Sequence, residues 1–107
     1  MVAKTTTTFE RGLRIYTQQI KNLDHPDDVM TESLLVLSTR ESFVEDYPLS
    51  QEQQRRLDRL DDELVKRWEV LAEALPNPNF ADNRRRWWWF LHEGPQVREQ
   101  ARALAAD

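Results

Sequence analysis

The segment from Arg84 to Leu91 contains the residue types best suited to binding another molecule, in the order Arg-Arg-Arg-Trp-Trp-Trp-Phe-Leu. A guanidinium group forms paired hydrogen bonds with carboxylates and phosphates, and an indole ring offers a large apolar surface with one N–H donor. Arginine and tryptophan are also the types most enriched at the energetic centres of protein interfaces. The composition of this segment therefore predicts a binding surface, without indicating which partner it binds.

The three tryptophans cannot share one face of a helix, because an α-helix turns by about 100° per residue. Measured from Asn83, they lie at about 40°, 140° and 240° around the axis. Trp87 falls in the same stripe as the phenylalanine and the leucine that end this segment, so we expect it to be buried. We expect Trp88 to be intermediate in exposure and Trp89 to be substantially exposed beside Arg85.

Several roles fit this segment. One role is a core helix whose indoles are covered by arginine side chains. Another is a surface that docks a second protein. A third is a nucleic-acid site in which arginine binds phosphate and tryptophan stacks on bases. A membrane-surface helix is a further alternative. A nucleic-acid partner is less favoured than a protein partner, because the five positive charges beyond Asn79 are accompanied by four acidic residues. The binding surface predicted here consists of Arg84, Arg85, Arg86, Trp88 and Trp89.

The composition indicates a folded and acidic domain. The 107 residues suffice for one hydrophobic core, and four Trp, four Phe and two Tyr are too many for a disordered chain. A net charge of -4 argues against general affinity for nucleic acid or anionic membranes. Cysteine is absent, which excludes disulfides and thiolate metal sites. With no apolar run near the ~18 residues of a membrane span and no apolar signal core, we expect a cytoplasmic protein.

The fold predicted for the whole chain, residues 1–107, is a single all-α domain: a compact bundle of four to five helices. Apolar residues recur at steps of three and four, and glycine occurs only twice. The first helix is expected from about Thr8 to Asn22, after a flexible tail over residues 1–7. Thr7 and Glu10 have the spacing of a capping box at its start.

The second helix is predicted to be central and packed on two sides. Its start signal is Asp24-His25-Pro26-Asp27-Asp28, and it extends to about Asp46. Two apolar stripes cover about half its circumference. They consist of Met30, Leu34, Leu37 and Val44, and of Val29, Val36, Phe43 and Tyr47. Ser38 to Glu41 also resembles a capping box and could break this helix. Arg40 and Glu41 lie near the apolar arc, either where the helix leaves the core or as a partly buried pair.

The third helix is predicted to begin at a capping box formed by Ser50 and Gln53. Its apolar residues lie within a narrow arc: Leu57, Leu60, Leu64, Trp68, Leu71 and Leu75. We expect Trp68 to be its buried anchor. Asp62 with Lys66 and Glu63 with Arg67 have the spacing of helical ion pairs. Pro76 to Asn79 ends the helix.

Two shorter helices are predicted after it. Asp82 caps a fourth helix that reaches about Glu93, and Gly94-Pro95 then separates the elements. The fifth helix runs from Pro95 to about Ala105. It places Val97, Ala101 and Leu104 on one face.

Catalytic and metal sites are not indicated. His25 lies beside Asp27 and Asp28 at a turn where helix capping explains the acids, and the side chains of His92 and Glu93 diverge around a helix. Neither set has the spacing of a helical carboxylate–histidine metal site, and two distant glycines cannot form a phosphate loop. We therefore predict no cofactor, no metal and no catalytic residue.

The function predicted from sequence is a non-catalytic protein-interaction module: a regulator, adaptor or assembly factor. The alternative is a nucleic-acid-binding regulator that uses the Arg84–Arg86 cluster with tryptophan stacking. A homodimer is also expected, since the acidic stretch from Asp24 to Asp46 could pair with the arginine cluster of a second copy.

Overall fold

A computed structural model describes the backbone of residues 2–45, 49–75 and 83–106, and the side chains of 8–44, 49–75 and 83–104. All regular elements within these ranges are helical, which confirms the all-α prediction. They are α1 (Val2–Asn22), α2 (Val29–Glu45), α3 (Gln51–Val65), α4 (Trp68–Ala74), a 3₁₀ helix (Trp87–Glu93) and α5 (Val97–Ala106). The predictions for Tyr47, Pro76–Asn79 and Asp82 lie outside the described residues.

Helix α1 is longer than predicted. It begins at Val2, so the predicted start near Thr8 and the capping box at Thr7 are wrong. Threonine has only a modestly low helix propensity, and a helix that is already formed propagates through such residues. Glu10 instead binds Arg56 of α3 through both carboxylate oxygens. The predicted apolar seam is buried in full, and it consists of Phe9, Leu13, Tyr16, Ile20 and Leu23.

Gly12 allows α1 and α2 to approach closely. A Cβ atom at this position would lie 3.2 Å from two ring atoms of Phe43, tighter than ordinary van der Waals contact. The Phe43 ring also meets Phe9 edge-on and Tyr16 at a tilt, each with 5.8 Å between ring centres. The glycine therefore makes room for an aromatic ring of the core.

Helix α2 begins after Asp28, not after Asp24. The Asp28 carboxylate accepts hydrogen bonds from the Thr31 backbone N–H (3.2 Å) and hydroxyl (2.9 Å), and these bonds lower its pKa. The helix is continuous through Ser38, so the second capping-box interpretation is wrong. It packs against α1, α4 and the 3₁₀ helix, which agrees with its predicted central position.

The two predicted stripes of α2 are buried only in part. Val36 and Phe43 of one stripe and Leu37 of the other lie in the core. Met30 and Val44 remain 54% and 45% exposed, because both lie near the ends of α2, beyond the part that the neighbouring helices cover.

The predicted third helix is interrupted between α3 and α4. Its start is confirmed, since Ser50 and Gln53 exchange the two hydrogen bonds of a capping box. The Arg67 backbone N–H donates a hydrogen bond to the Leu64 carbonyl. The Arg67 side chain donates to the Glu63 carbonyl at 2.7 Å. The side chain thus replaces the helical donor to that carbonyl, and the α-helical hydrogen-bond pattern is interrupted there.

This interruption changes the expected core. Leu57, Leu64 and Leu71 are buried as predicted, but Trp68 is only half-buried at the start of α4. The predicted pair of Glu63 and Arg67 is present, with 3.5 Å between the charged atoms.

The predicted fourth helix is a 3₁₀ helix, and it starts at Trp87 after a turn. Gly94 ends it with φ of 122°, a conformation that favours glycine. In α5, Val97 and Ala101 are buried as predicted, whereas Leu104 is 43% exposed. In the part of the chain that the structure describes, no helix is long and apolar enough to cross a membrane.

Candidate binding cleft

The 3₁₀ geometry determines where the tryptophans point. Three residues complete a turn, so Trp88 aligns with Leu91 instead of lying on a flank. Trp87 is 6% exposed, as predicted, but Trp88 is only 3% exposed and the prediction of intermediate exposure is wrong. The two indoles meet edge-on, with ring centres 5.5 Å apart.

Glu41 of α2 binds the polar atoms of this aromatic segment. Its Oε1 accepts the indole N–H of Trp88 at 3.1 Å and that of Trp89 at 2.7 Å. Its Oε2 accepts a hydrogen bond from Arg86. Trp89 is consequently half-buried and held by α2, and the prediction that it is substantially exposed is wrong.

Three of the five predicted binding residues converge on Glu41, and the other two do not. Arg84 forms an ion pair with Glu93, Arg86 and Trp89 bind the α2 carboxylate, and Trp88 is buried. Arg85 is exposed, and its guanidinium reaches only the Leu104 carbonyl, at 3.4 Å. Among the described residues, none provides a carboxylate for Arg85.

A buried charged cluster joins α1, α2 and α3. Asp61 is 1% exposed and accepts three hydrogen bonds, from the Tyr16 hydroxyl (2.7 Å), Arg40 Nε (2.8 Å) and Arg40 Nη2 (3.1 Å). The Arg40 guanidinium also lies 4.2 Å from the centre of the Trp88 ring. The predicted pairing of Arg40 with Glu41 is wrong, because Arg40 pairs with Asp61 in the core while Glu41 binds Arg86 and two indole N–H groups.

The protonation of this cluster is set by burial. Burial raises the pKa of Asp61, and the Arg40 guanidinium opposes that rise. Burial and the adjacent carboxylate hold the pKa of Tyr16 well above its ordinary value. Both carboxylate oxygens of Asp61 accept hydrogen bonds from buried side chains, so the cluster joins three helices. Its carboxylate is therefore not available as an acid or base.

A cleft of about 300 Å³ opens above this cluster. We call it the arginine cleft. Its walls come from α2, α3, the turn before the 3₁₀ helix, that helix and α5, and they consist of Arg40, Gln54, Asp58, Asp61, Arg85, Trp87, Arg98, Ala101 and Arg102.

The four arginines of the cleft divide into two layers. Arg40 and Arg98 are buried at its floor, where Arg98 binds the Asp62 carboxylate and donates to the Asp58 carbonyl at 3.0 Å. Arg85 and Arg102 are exposed at its mouth. The guanidinium groups of the mouth are therefore accessible to a ligand, while those of the floor are committed to the fold.

The electrostatic balance of the cleft depends on weak pairs at its edge. Arg102 binds Glu99 one turn earlier in α5, at 2.6 Å, and both side chains are more than half exposed. Exposed pairs of this kind contribute little, so an incoming carboxylate can compete for Arg102. Arg85 is not bound to a carboxylate of any described residue, so a ligand displaces none when it binds there.

Trp87 lies near two buried guanidinium groups. The guanidinium carbons of Arg40 and Arg98 lie 5.6 and 5.5 Å from its ring centre. The indole is thus a rigid wall of the cleft, and its low exposure leaves little open face for a stacked base.

The sequence interpretation missed Arg98, Arg102 and Asp61. The repeat of arginine at i and i+4 in α5 was the one local signal for the first two, since it places both on one helix face. No local pattern marks Asp61, which lies in a run of acidic residues on α3.

The chain matches no model of a known protein family, no curated protein and no solved structure. Over the described residues, no group of three histidine or acidic side chains is placed to hold a metal ion.

Proposed function

We propose that this chain is a non-catalytic protein-interaction module, and that the arginine cleft binds an acidic segment of a partner protein. The observation that carries the proposal is the placement of Arg85 and Arg102 at the mouth of a cleft walled by Trp87. A guanidinium group binds a carboxylate through two parallel hydrogen bonds. Recognition of acidic motifs by clustered arginines is a recurrent mode of peptide binding.

The size of the cleft favours a protein segment over a small-molecule substrate. About 300 Å³ is at the lower limit of ligand pockets and accommodates one or two side chains. A partner segment would place a carboxylate at the mouth and an apolar side chain against the small part of Trp87 that lines the cleft. This arrangement suits a regulator, adaptor or assembly factor.

Acidic protein is favoured over nucleic acid for two reasons. The chain carries a net charge of -4, which repels a polyanion beyond its local contacts. Single-stranded nucleic acid also binds through bases stacked on open aromatic faces, whereas Trp87 is 6% exposed.

Fluorescence anisotropy tests the proposal with a labelled peptide in which glycine and serine flank Glu-Glu-Phe-Glu-Glu. We expect the Arg85→Ala/Arg102→Ala variant to bind at least about 10-fold more weakly, the loss of roughly 1.4 kcal/mol or more. The matched control is Arg11→Ala/Arg55→Ala, which removes two exposed arginines outside the arginine cleft and should leave binding unchanged. Equal losses in both variants, or tighter binding of an oligothymidine probe, would contradict the proposal.

A further inference from the structure

A second groove lies between α1 and α3 and shares no lining residue with the arginine cleft. Its volume is about 380 Å³. We call it the α1–α3 groove. Its lining residues are Glu10, Leu13, Arg14, Thr17, Gln18, Arg56, Arg59 and Leu60.

The groove combines an apolar floor with unpaired positive charge. Leu13 is buried and Leu60 is half-buried beneath it. Arg14 and Arg59 are exposed at its rim, and in the described structure neither forms a hydrogen bond or an ion pair. Arg56 is already bound to the one carboxylate of the lining. The unmatched guanidinium groups favour an occupant that supplies acids together with an apolar side chain.

The outer face of α2 has the complementary composition. Leu35 is 50% exposed, and it follows Asp28 and Glu32 at the i, i+4, i+7 spacing of one helix face. Arg40, the single basic residue of α2, is buried in the core. This face of α2 therefore presents Leu35 with the Glu32 carboxylate, and the one basic residue of the helix is not accessible on it.

We infer that the α1–α3 groove binds the outer face of α2 from a second copy of this chain. Leu35 of one copy enters the apolar floor of the other, and Glu32 meets Arg14 and Arg59. The inference is independent of the proposed function, because the arginine cleft stays open in such an assembly.

This contact replaces the one expected from sequence. The expected contact paired the acidic stretch with Arg84 to Arg86, but Arg84 and Arg86 bind Glu93 and Glu41 of their own chain. Arg14 and Arg59, by contrast, form no ion pair in the described structure. Since the groove and the α2 face are different surfaces, the contact is head-to-tail and builds a closed ring or an open chain unless a two-fold axis pairs both surfaces.

A charge exchange tests the inference by sedimentation velocity between about 5 and 200 μM. The wild-type chain should increase in mass with concentration. The groove variant Arg14→Glu/Arg59→Glu and the face variant Glu32→Lys should each remain monomeric, because like charges then meet. An equimolar mixture of the two should associate again, since the reversed groove of one accepts the reversed face of the other.

Controls separate this contact from loss of folding. Arg55→Glu changes an exposed arginine of α3 outside the groove and should associate like the wild type. Leu35→Ser removes the apolar side chain at an exposed site and should abolish association while the thermal melt by circular dichroism is kept. A monomeric wild type at about 200 μM, association that ignores these substitutions, or a mixture that stays monomeric would each overturn the inference.

Discussion

Arg40 and Asp61 form an ion pair with two hydrogen bonds, of 2.8 and 3.1 Å, between α2 and α3 in the core. The pair lies at the floor of the arginine cleft, and its guanidinium group also covers the Trp88 ring. One buried residue thus connects the core to the wall of the proposed binding site. The geometry of the cleft depends on this pair.

Removal of one member of this pair should destabilise the protein strongly. We expect Asp61→Ala to lower the free energy of unfolding by about 3–5 kcal/mol, because Arg40 is left buried and unpaired. The triple variant Tyr16→Phe/Arg40→Met/Asp61→Leu should regain most of this loss, since it leaves none of the three buried polar groups without its partner. Urea denaturation measures both. Asp27→Ala, at an exposed carboxylate, is the control, and a loss below about 1 kcal/mol for Asp61→Ala would mean that the pair is not structural.

Glu41 should be required for the aromatic segment to pack. Glu41→Ala leaves the indole N–H groups of Trp88 and Trp89 without their acceptor, at about 1–3 kcal/mol for each buried donor. We expect a clear decrease in melting temperature and altered indole N–H signals for both residues. Glu73→Ala, on the exposed side of α4, should change neither. Unaltered indole signals in Glu41→Ala would show that these hydrogen bonds are absent in solution.

The capping box of α3 should contribute about 1 kcal/mol. Ser50→Ala removes the oxygen that accepts the Gln53 backbone N–H. Removal of such an N-cap oxygen lowers stability by about 0.5–2 kcal/mol. Ser38→Ala is the matched control, because Ser38 is exposed within α2, where alanine is the better helix former. Denaturant titration should show a loss for Ser50→Ala alone. Equal stability of the two variants would argue against the cap.

Asp24 should make part of the stability depend on pH. The hydrogen bonds from Arg67 lower its pKa from the ordinary 3.8. For a lowered carboxyl pKa, the contribution is complete above the unfolded-state value and disappears as pH falls through the folded-state value. Asp24→Asn should therefore be less stable than the wild type at neutral pH, and the difference should shrink below about pH 3.8. A difference that is constant down to about pH 2 would contradict this pairing.

Local patterns in the sequence predicted much of the fold. The seam of α1, the capping box at Ser50 and the buried positions Val97 and Ala101 depend on helical spacing alone, so they were accessible. The interruption between α3 and α4 could not be predicted from helical spacing. It depends on the Arg67 side chain, which binds Asp24 of a distant segment and donates a hydrogen bond to a backbone carbonyl.

The predictions for Trp88 and Trp89 failed for a related reason. They assumed about 100° per residue, whereas a 3₁₀ helix turns by about 120°, and they could not include Glu41 as an acceptor. An exposed Trp89, as predicted from the sequence, would contribute little to stability. The hydrogen bond to Glu41 now leads us to expect a clear loss for Trp89→Ala.

The proposed binding site was predictable only in its residue types. Arg85 was identified from the arginine run, but Arg98 and Arg102 come from α5 and Asp61 from α3. Their convergence depends on tertiary packing that local periodicity does not contain. The arginine run itself is largely engaged within the chain.

The most direct test of the binding proposal is a two-dimensional ¹H–¹⁵N spectrum recorded while the Glu-Glu-Phe-Glu-Glu peptide is added. The four tryptophans each provide an indole signal. We predict that the indole signal of Trp87 and the backbone signals of Arg85 and Arg102 shift with peptide concentration, while the Trp68 indole signal stays in place. Shifts confined to Arg14 and Arg59, or the absence of any shift at millimolar peptide, would contradict the assignment of the arginine cleft as the binding site.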